Sequence, residues 1–359
     1  MAQVVHAERP APQVRPATRR GSTIAGIGRA IPAHVMTNRD LENLVETDDE
    51  WIRTRTGIHE RRIAAPDVAT SDLAVEAARE ALAGAGVEAA DVDLIIVGTA
   101  SPDMLFPATA CLVQDRIGAR RAGAFDLSAA CSSWAYGVAV GHAAIVSGAA
   151  ESVLVIGAET LSRITDWTDR ATCVLFGDAA AAVVLRPCVP DEGFLAFHLG
   201  ADGSGAELIA LPAGGSRLPI SAEVLAARDH YIKMNGREVY KFAVRAIPRA
   251  IEQVVAAAGL SIDDIDCFIP HQANIRIIQA AADRLGQPME RFFVNVERYG
   301  NTSSASVPVA LYEALEQGRI GPGDLVVFVA FGSGLTWGAA AMRWTAASPV
   351  GRRKTRRAP

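Results

Sequence analysis

Residues 85–100 read AGVEAADVDLIIVGTA and residues 258–273 read AGLSIDDIDCFIPHQA; in each, a helical run ends at Ala-Gly, an acidic turn follows, and an apolar strand opens into a loop. The two stretches lie 173 residues apart. Self-similarity at a fixed spacing marks a repeated unit. Near the same offset CSSWAYGVAV (131–140) falls over TSSASVPVAL (302–311), and FGDAAAAVVLRP (176–187) matches FGSGLTWGAAAMRW (331–344) at a shorter one. Three matches in one order predict two copies of one unit.

Each copy alternates helical runs such as LAVEAAREALAGAG (73–86) with short β-rich runs such as VDLIIVG (92–98), SVLVIGAE (152–159) and DLVVFVAFG (324–332). This is the pattern of an α/β fold with both sheet faces covered. Two such halves, 22–188 and 189–345, are expected to pack face to face, so that loops leaving the strand ends of both meet in one cleft. Residues 1–21 read as a disordered extension: the first twenty carry three prolines and four arginines and no apolar core of secretory length. Residues 346–359 read as a basic tail.

Composition narrows the function classes. A chain of 359 residues, 50% hydrophobic, buries a large core. A net charge of −5, with no interleaved basic and aromatic residues, argues against nucleic acid as a partner. The five cysteines, at 111, 131, 173, 188 and 267, include no C-x-x-C pair, which excludes a disulfide framework and a zinc ribbon and fits a reducing cytoplasm. No metal site is expected, because no H-E-x-x-H and no Cys/His cluster at ligand spacing occurs. Residues 127–150 contain no Asp, Glu, Lys or Arg, but their Ala, Gly and Ser content points to a buried core helix rather than a membrane span. GIGRAIP (26–32) lacks the third glycine and the following helix of a dinucleotide fingerprint.

Three residues stand out by context: Cys131 at a helix start in DLSAACSSWAYG, His271 after Pro270 in PHQANIRI, and Asn301 in RYGNTSSASVP. A thiol at a helix N-terminus sees the positive end of the macrodipole, which is expected to lower its pKa, and a nearby imidazole would add to this. Taken singly, each has a plain structural reading: an inert core thiol, a hydrogen-bonded strand-end histidine, a turn asparagine. His142, farther along the same helix, reads as a packed core histidine. Arg237, Lys241, Arg245 and Arg249 recur every four residues and form a basic helical stripe, with Pro248 near its far end.

With these residues in hand, the chain resembles β-ketoacyl-acyl carrier protein synthase III, a condensing family of the thiolase superfamily. The resemblance runs from about Ser22 to Trp344 through TDDEWIRTRTGIHERRIAAPD (47–67), AACSSW (129–134), MNGREVYKFAV (234–244), PHQANIRI (270–277), YGNTSSASVP (299–308) and FGSGLTWG (331–338). It implies a thiolase-like fold, duplicated α/β halves in a layered α-β-α-β-α sandwich, and a Cys-His-Asn triad at Cys131, His271 and Asn301. It implies an acyltransferase that condenses an acyl-CoA primer with malonyl-acyl carrier protein through an acyl-cysteine, losing carbon dioxide. The backbone N–H groups of Cys131 and Ser333 would form the oxyanion hole.

The same resemblance places CoA on Thr47, Trp51, Arg55, Arg170, Gly236, Arg237, Tyr240, Ala273 and Asn274, with Trp51 and Arg170 sandwiching the adenine. It places Phe106, reaching over a homodimer interface, and Phe331 at the acyl pocket. It implies no cofactor beyond the CoA thioester, and a surface of Arg237, Lys241 and Arg276 that steers an acidic carrier protein. Ser133, Trp134 and Ser333 depart from the family's usual residues and bear on primer choice. The rival readings are a non-condensing acyltransferase of specialised metabolism and a non-catalytic carrier-protein-binding subunit.

Overall fold

Two runs are apolar for most of their length, VLVIGAET (153–160), which turns polar only at Glu159 and Thr160, and LVVFVAFG (325–332), and both are buried throughout. A strand can be continuously apolar only where both sheet faces are covered. The computed structural model of the chain describes residues 20–345 and places each run inside a sheet flanked by helices. The basic tail expected over 346–359 lies outside the described residues, as does the extension before residue 20. Gly21 already belongs to the first strand.

In chain order, the strands of the two sheets are β1 (Gly21–Ala30), β2 (Leu94–Gly98), β3 (Gly123–Leu127), β4 (Val153–Thr160), β5 (Asp178–Cys188), β6 (Gly193–Ala201), β7 (Cys267–Pro270), β8 (Leu325–Gly332) and β9 (Thr336–Arg343). The first sheet runs β1-β5-β4-β2-β3 and the second β7-β8-β9-β6. β2 is parallel to β3 and β4, as β7 is to β8, and the remaining pairs are antiparallel. The second sheet repeats the first with its fifth strand reduced to a single parallel bridge, Phe268 to Phe292.

The helices used below are α1 (Asp49–Thr56), α2 (Thr70–Ala85), α3 (Thr109–Ile117), α4 (Ser133–Val146), α5 (Gly236–Ala257), α6 (Ile275–Leu285) and α7 (Ser306–Glu316). α4 and α7 fill the middle layer. Trp134, Val138 and Ile145 of α4 share one core with Val307 and Leu311 of α7, Val155 of the first sheet and Phe328 of the second. α2 and α3 cover the outer face of the first sheet, and α5 and α6 that of the second. The result is the expected α-β-α-β-α sandwich. Residues 127–150 supply the 14-residue α4, and among the described residues no helix is long and apolar enough to cross a membrane.

The duplication is visible in the backbone, with two adjustments. The second match shifts by two residues: Ala130 and Ser303, at φ of 46° and 45°, occupy equivalent turns, so Ser304 rather than Thr302 stands opposite Cys131. The shorter offset of the third match also has a cause. Residues 161–177 separate β4 from β5, whereas three residues separate β8 from β9.

Candidate active site

Cys131 sits in a 3-10 turn (Ala130–Ser132) that carries the chain from the end of β3 into α4. The turn is fixed from both sides: Ala129 N–H donates to Ser133 Oγ at 2.8 Å, and Thr336 Oγ1 donates to the Ala129 carbonyl at 2.9 Å. Gly332 closes over it. A Cβ at Gly332 would lie 2.7 Å from the Cys131 nitrogen, so only glycine lets the end of β8 approach the Cys131 backbone. His271 follows β7, and its N–H donates to the Val329 carbonyl at 2.8 Å. Asn301 lies in the loop before α7, tied by its N–H to Leu175 O at 2.8 Å.

The topology therefore brings together a thiol from the first half and an imidazole and an amide from the second. Cys131, His271 and Asn301 line one cavity of about 620 Å³, and each is less than a tenth exposed. Asn301 Oδ1 accepts the Ser303 N–H at 2.9 Å, which fixes the amide orientation and leaves its NH₂ as the free donor. His271 Nδ1 meets the Ser306 hydroxyl at 2.5 Å, leaving Nε2 for the cavity. Burial pushes the imidazole pKa down to about 3, so it is neutral at physiological pH.

The thiol departs from expectation. Its place before α4 suggests a lowered pKa, yet burial pushes it up to about 12, with the Ser303 hydroxyl easing the charge and Glu159 opposing it. Loss of solvation outweighs a helix end when the sulfur is enclosed. A resting thiol here needs a proton acceptor to react.

Seven of the nine residues expected on the CoA channel line the large cavity: Trp51, Arg55, Gly236, Arg237, Tyr240, Ala273 and Asn274. Asn274 caps α6 and donates to the Arg55 carbonyl at 3.0 Å, joining α6 to α1. Thr47 and Arg170 are not on the wall. Thr47 Oγ1 is buried without a hydrogen-bond partner in the turn before α1. Arg170 stacks directly on the Trp51 ring at 4.2 Å, and a base between them needs roughly 7 Å, two ordinary van der Waals contacts. The expected sandwich is closed on itself here.

The two residues expected at the acyl pocket lie apart in the single chain. Phe331 stands edge-on to His271 at 5.3 Å in the large cavity, and Phe106 is 85% exposed, outside both cavities that meet at Cys131. A second, smaller chamber of about 200 Å³ opens behind Cys131, lined by Leu161, Ile164, Phe176, Leu211 and Ile232 among others. The sequence reading missed it, because these side chains come from separate segments and look like ordinary core. Ser333 borders both cavities, whereas Ser133 and Trp134 line neither. Trp134 turns into the core, edge-on to Phe328 at 5.5 Å, so its bulk does not reach the chamber.

At the mouth, Arg237, Lys241 and Arg276 are exposed and line the large cavity's rim, with Lys241 paired to Glu238 at 2.7 Å. Arg245 and Arg249 continue the exposed stripe away from the cavity, and α5 runs through Pro248. His142 is half-buried, packed against Phe194 and Phe197 and bonded to Ser22 Oγ at 2.9 Å.

Two family models match the chain: 3-oxoacyl-[acyl-carrier-protein] synthase III over residues 125–203 and its C-terminal counterpart over 255–344. The chain is 59% identical over 321 residues to the beta-ketoacyl-[acyl-carrier-protein] synthase III of Symbiobacterium thermophilum, covering 89% of this chain and 97% of that one. Among solved structures, the beta-ketoacyl-[acyl carrier protein] synthase III of Thermus thermophilus is similar at a TM-score of 0.85 and 50% identity, over 90% of this chain and 100% of that one. The priming beta-ketosynthase of the R1128 polyketide pathway is similar at a TM-score of 0.86 and 34% identity, over 94% and 100%.

Proposed function

The chain belongs to the β-ketoacyl-acyl carrier protein synthase III family, and from that premise we propose that Cys131, His271 and Asn301 divide the family's reaction between them. The protein is an acyltransferase that performs the decarboxylative Claisen condensation of an acyl-CoA primer with malonyl-acyl carrier protein, which starts fatty-acid synthesis. Cys131 takes the acyl group from CoA, splitting one hard step into two. Malonyl carrier protein then enters the same cavity. His271 Nε2–H and Asn301 Nδ2–H donate to the malonyl thioester oxygen, stabilising the enolate left when carbon dioxide departs. The enolate carbon attacks the acyl-cysteine, and the N–H groups of Cys131 and Ser333 receive the oxyanion.

The observation that supports this division is the pairing of one buried thiol with two neutral donors on a single cavity, the imidazole held neutral by burial and the amide held NH₂-outward by Ser303. CoA lies along Trp51, Arg55, Gly236, Arg237, Tyr240, Ala273 and Asn274, with Arg170 swinging off Trp51 to admit the adenine. The primer's acyl chain enters the apolar chamber behind Cys131. A homodimer would cover the apolar tip Met104, Leu105 and Phe106, which stands exposed in one chain. The chemistry needs no cofactor beyond the thioester, and a cytoplasmic setting supplies both substrates. Mass spectrometry after exposure to short acyl-CoAs tests the first step and is expected to show one acyl group on Cys131. Added malonyl carrier protein should then release carbon dioxide and a 3-oxoacyl product; acyl transfer without carbon dioxide would favour the non-condensing reading.

A further inference from the structure

Glu159, at the end of β4, is an acidic residue in an otherwise apolar strand, and its carboxyl is fully buried between the two halves. Every group that holds it is a hydroxyl or an amide. Oε2 accepts from Ser101 Oγ at 2.6 Å and from the Ala100 N–H at 3.0 Å, and Oε1 accepts from Ser304 Oγ at 2.8 Å. Next to Ser304, the Ser303 hydroxyl is buried and completes no hydrogen bond of normal geometry, although it faces both the Cys131 thiol and the Glu159 carboxyl. A buried hydroxyl without a partner is an anomaly that calls for a role.

We propose that Glu159 is the proton store of the catalytic cycle, taking the Cys131 thiol proton through the Ser303 hydroxyl on acylation and returning it when condensation frees the thiolate. The inference rests on the acyl-cysteine reading above. In acylation the Cys131 S–H bond breaks, its proton passes to the Glu159 carboxylate, sulfur bonds to the acyl carbon, and CoA leaves as a thiolate that takes a proton from solvent. In condensation the malonyl carboxylate leaves as carbon dioxide, the enolate carbon bonds to the acyl carbon, and the C–S bond to Cys131 breaks. The departing thiolate recovers the proton from Glu159. One solvent proton is consumed per turnover, all of it in the first half-reaction.

The hydrogen-bond network accommodates both states of the carboxyl. Ser304 Oγ lies 2.8 Å from Glu159 Oε1 and 2.7 Å from the Gly98 carbonyl. When Glu159 is ionised, Ser304 donates to it; when Glu159 carries the proton, the acid donates to Ser304 and Ser304 donates to Gly98. No heavy atom has to move. Cys131 is the titratable group facing Glu159 from the turn before α4, while residues 99–101 and 303–304 present hydroxyls and backbone amides. Burial raises the pKa of both Cys131 and Glu159, and a charge on either disfavours a charge on the other, so one shared proton leaves one negative charge in the pair. His271, held neutral, is poorly suited to store that proton.

The test separates the half-reactions. The protein is mixed with a panel of short acyl-CoAs, without malonyl carrier protein, in weak buffer containing an indicator dye at pH 7, below the pKa of about 8.5 of an unperturbed thiol such as that of released CoA. Acyl-Cys131 is counted by mass spectrometry in parallel. The expected result is one proton taken from solvent per acyl-enzyme formed, none in Glu159→Gln, and acylation slowed about tenfold in Ser303→Ala. Wild-type acyl-enzyme forming without proton uptake overturns the store, and needs no variant to fold. Unchanged uptake in Glu159→Gln moves the proton to another group and overturns it as well. Absence of any acyl-enzyme overturns the assignment of Cys131 instead, and the store falls with it.

Discussion

Ala130 and Ser303 stand 173 residues apart and hold the same left-handed backbone, φ 46° and 45°, each in the turn that starts a middle-layer helix. The fold has thus used one strained turn twice. In the first half it presents the Cys131 thiol; in the second it presents the Ser304 hydroxyl and N–H that clasp Glu159. A non-glycine residue in such a conformation costs about 1–3 kcal/mol, and that strain is held by the surrounding core.

Ser303→Gly separates the two contributions of that residue. Glycine adopts positive φ freely, so the variant should fold with a stability within about 1 kcal/mol of wild type, the relief of strain offsetting the entropy of the unfolded chain. Its acylation by short acyl-CoAs should still slow, because the hydroxyl between Cys131 and Glu159 is gone. Thermal melts and single-turnover acylation check both halves; a large loss of Tm with normal acylation would make Ser303 a purely structural residue.

Gly332→Ala should disable Cys131 without changing its side chain. The added Cβ would meet the Cys131 nitrogen at 2.7 Å, and backbone cannot rotate away as a side chain can. The expected loss is about 1–3 kcal/mol of stability from overpacking, with acylation falling more than tenfold as the turn shifts. Gly203→Ala, where a Cβ meets nothing within 4 Å, should leave both near wild type.

The pH profile tests the neutral imidazole. In Cys131→Ala, decarboxylation of malonyl carrier protein depends on His271 and Asn301 alone. With its pKa lowered to about 3, His271 stays neutral throughout pH 5–8, so the rate should be flat across that window. A histidine of ordinary pKa, about 6.5, would gain a proton as pH falls through that value and become a stronger donor. A rate that rises below pH 6.5 would show an exposed or freely titrating imidazole. His271→Ala or Asn301→Ala in the wild-type background should cut condensation by about 2–4 kcal/mol of transition-state stabilisation while largely sparing acylation.

What the sequence made legible is what it stores locally. Repeated strand and turn signals fixed the duplicated sandwich, and Cys131, His271 and Asn301 stood out because each sits in a distinctive motif, the first two shortly after a strand and Asn301 after a short helix, Val296–Tyr299. The thiol's protonation was misread because a helix start is visible in sequence and enclosure of the sulfur is not. Gly332 and the chamber residues from Leu161 to Ile232 were missed for the same reason, because their roles exist only across the interface of the halves, and Ser306 because its bond to His271 joins segments 35 residues apart. Glu159 did leave a signal, a lone acid in VLVIGAET, whose meaning depends on hydroxyls from residues 101 and 304.

The basic rim yields the final expectation. Lys241 is exposed at the cavity mouth, where a docked carrier protein would deliver its malonyl group, and Arg245 lies one turn farther along α5, its Nε donating to the Lys241 carbonyl at 3.0 Å. Lys241→Glu should lower the association rate of malonyl carrier protein several-fold at low salt, and Arg245→Glu should lower it less. Acyl-CoA is itself a polyanion through its phosphate and diphosphate, but it would be held along the cavity by several residues besides Lys241, so acylation should change less. The carrier-protein defect should shrink as ionic strength rises, because a Debye length of about 3 Å at 1 M salt removes the wild-type advantage. Stopped-flow association measured against salt checks this. A defect of equal size for both substrates, or one unchanged by salt, would return Lys241 and its neighbours to an ordinary solvated helix face.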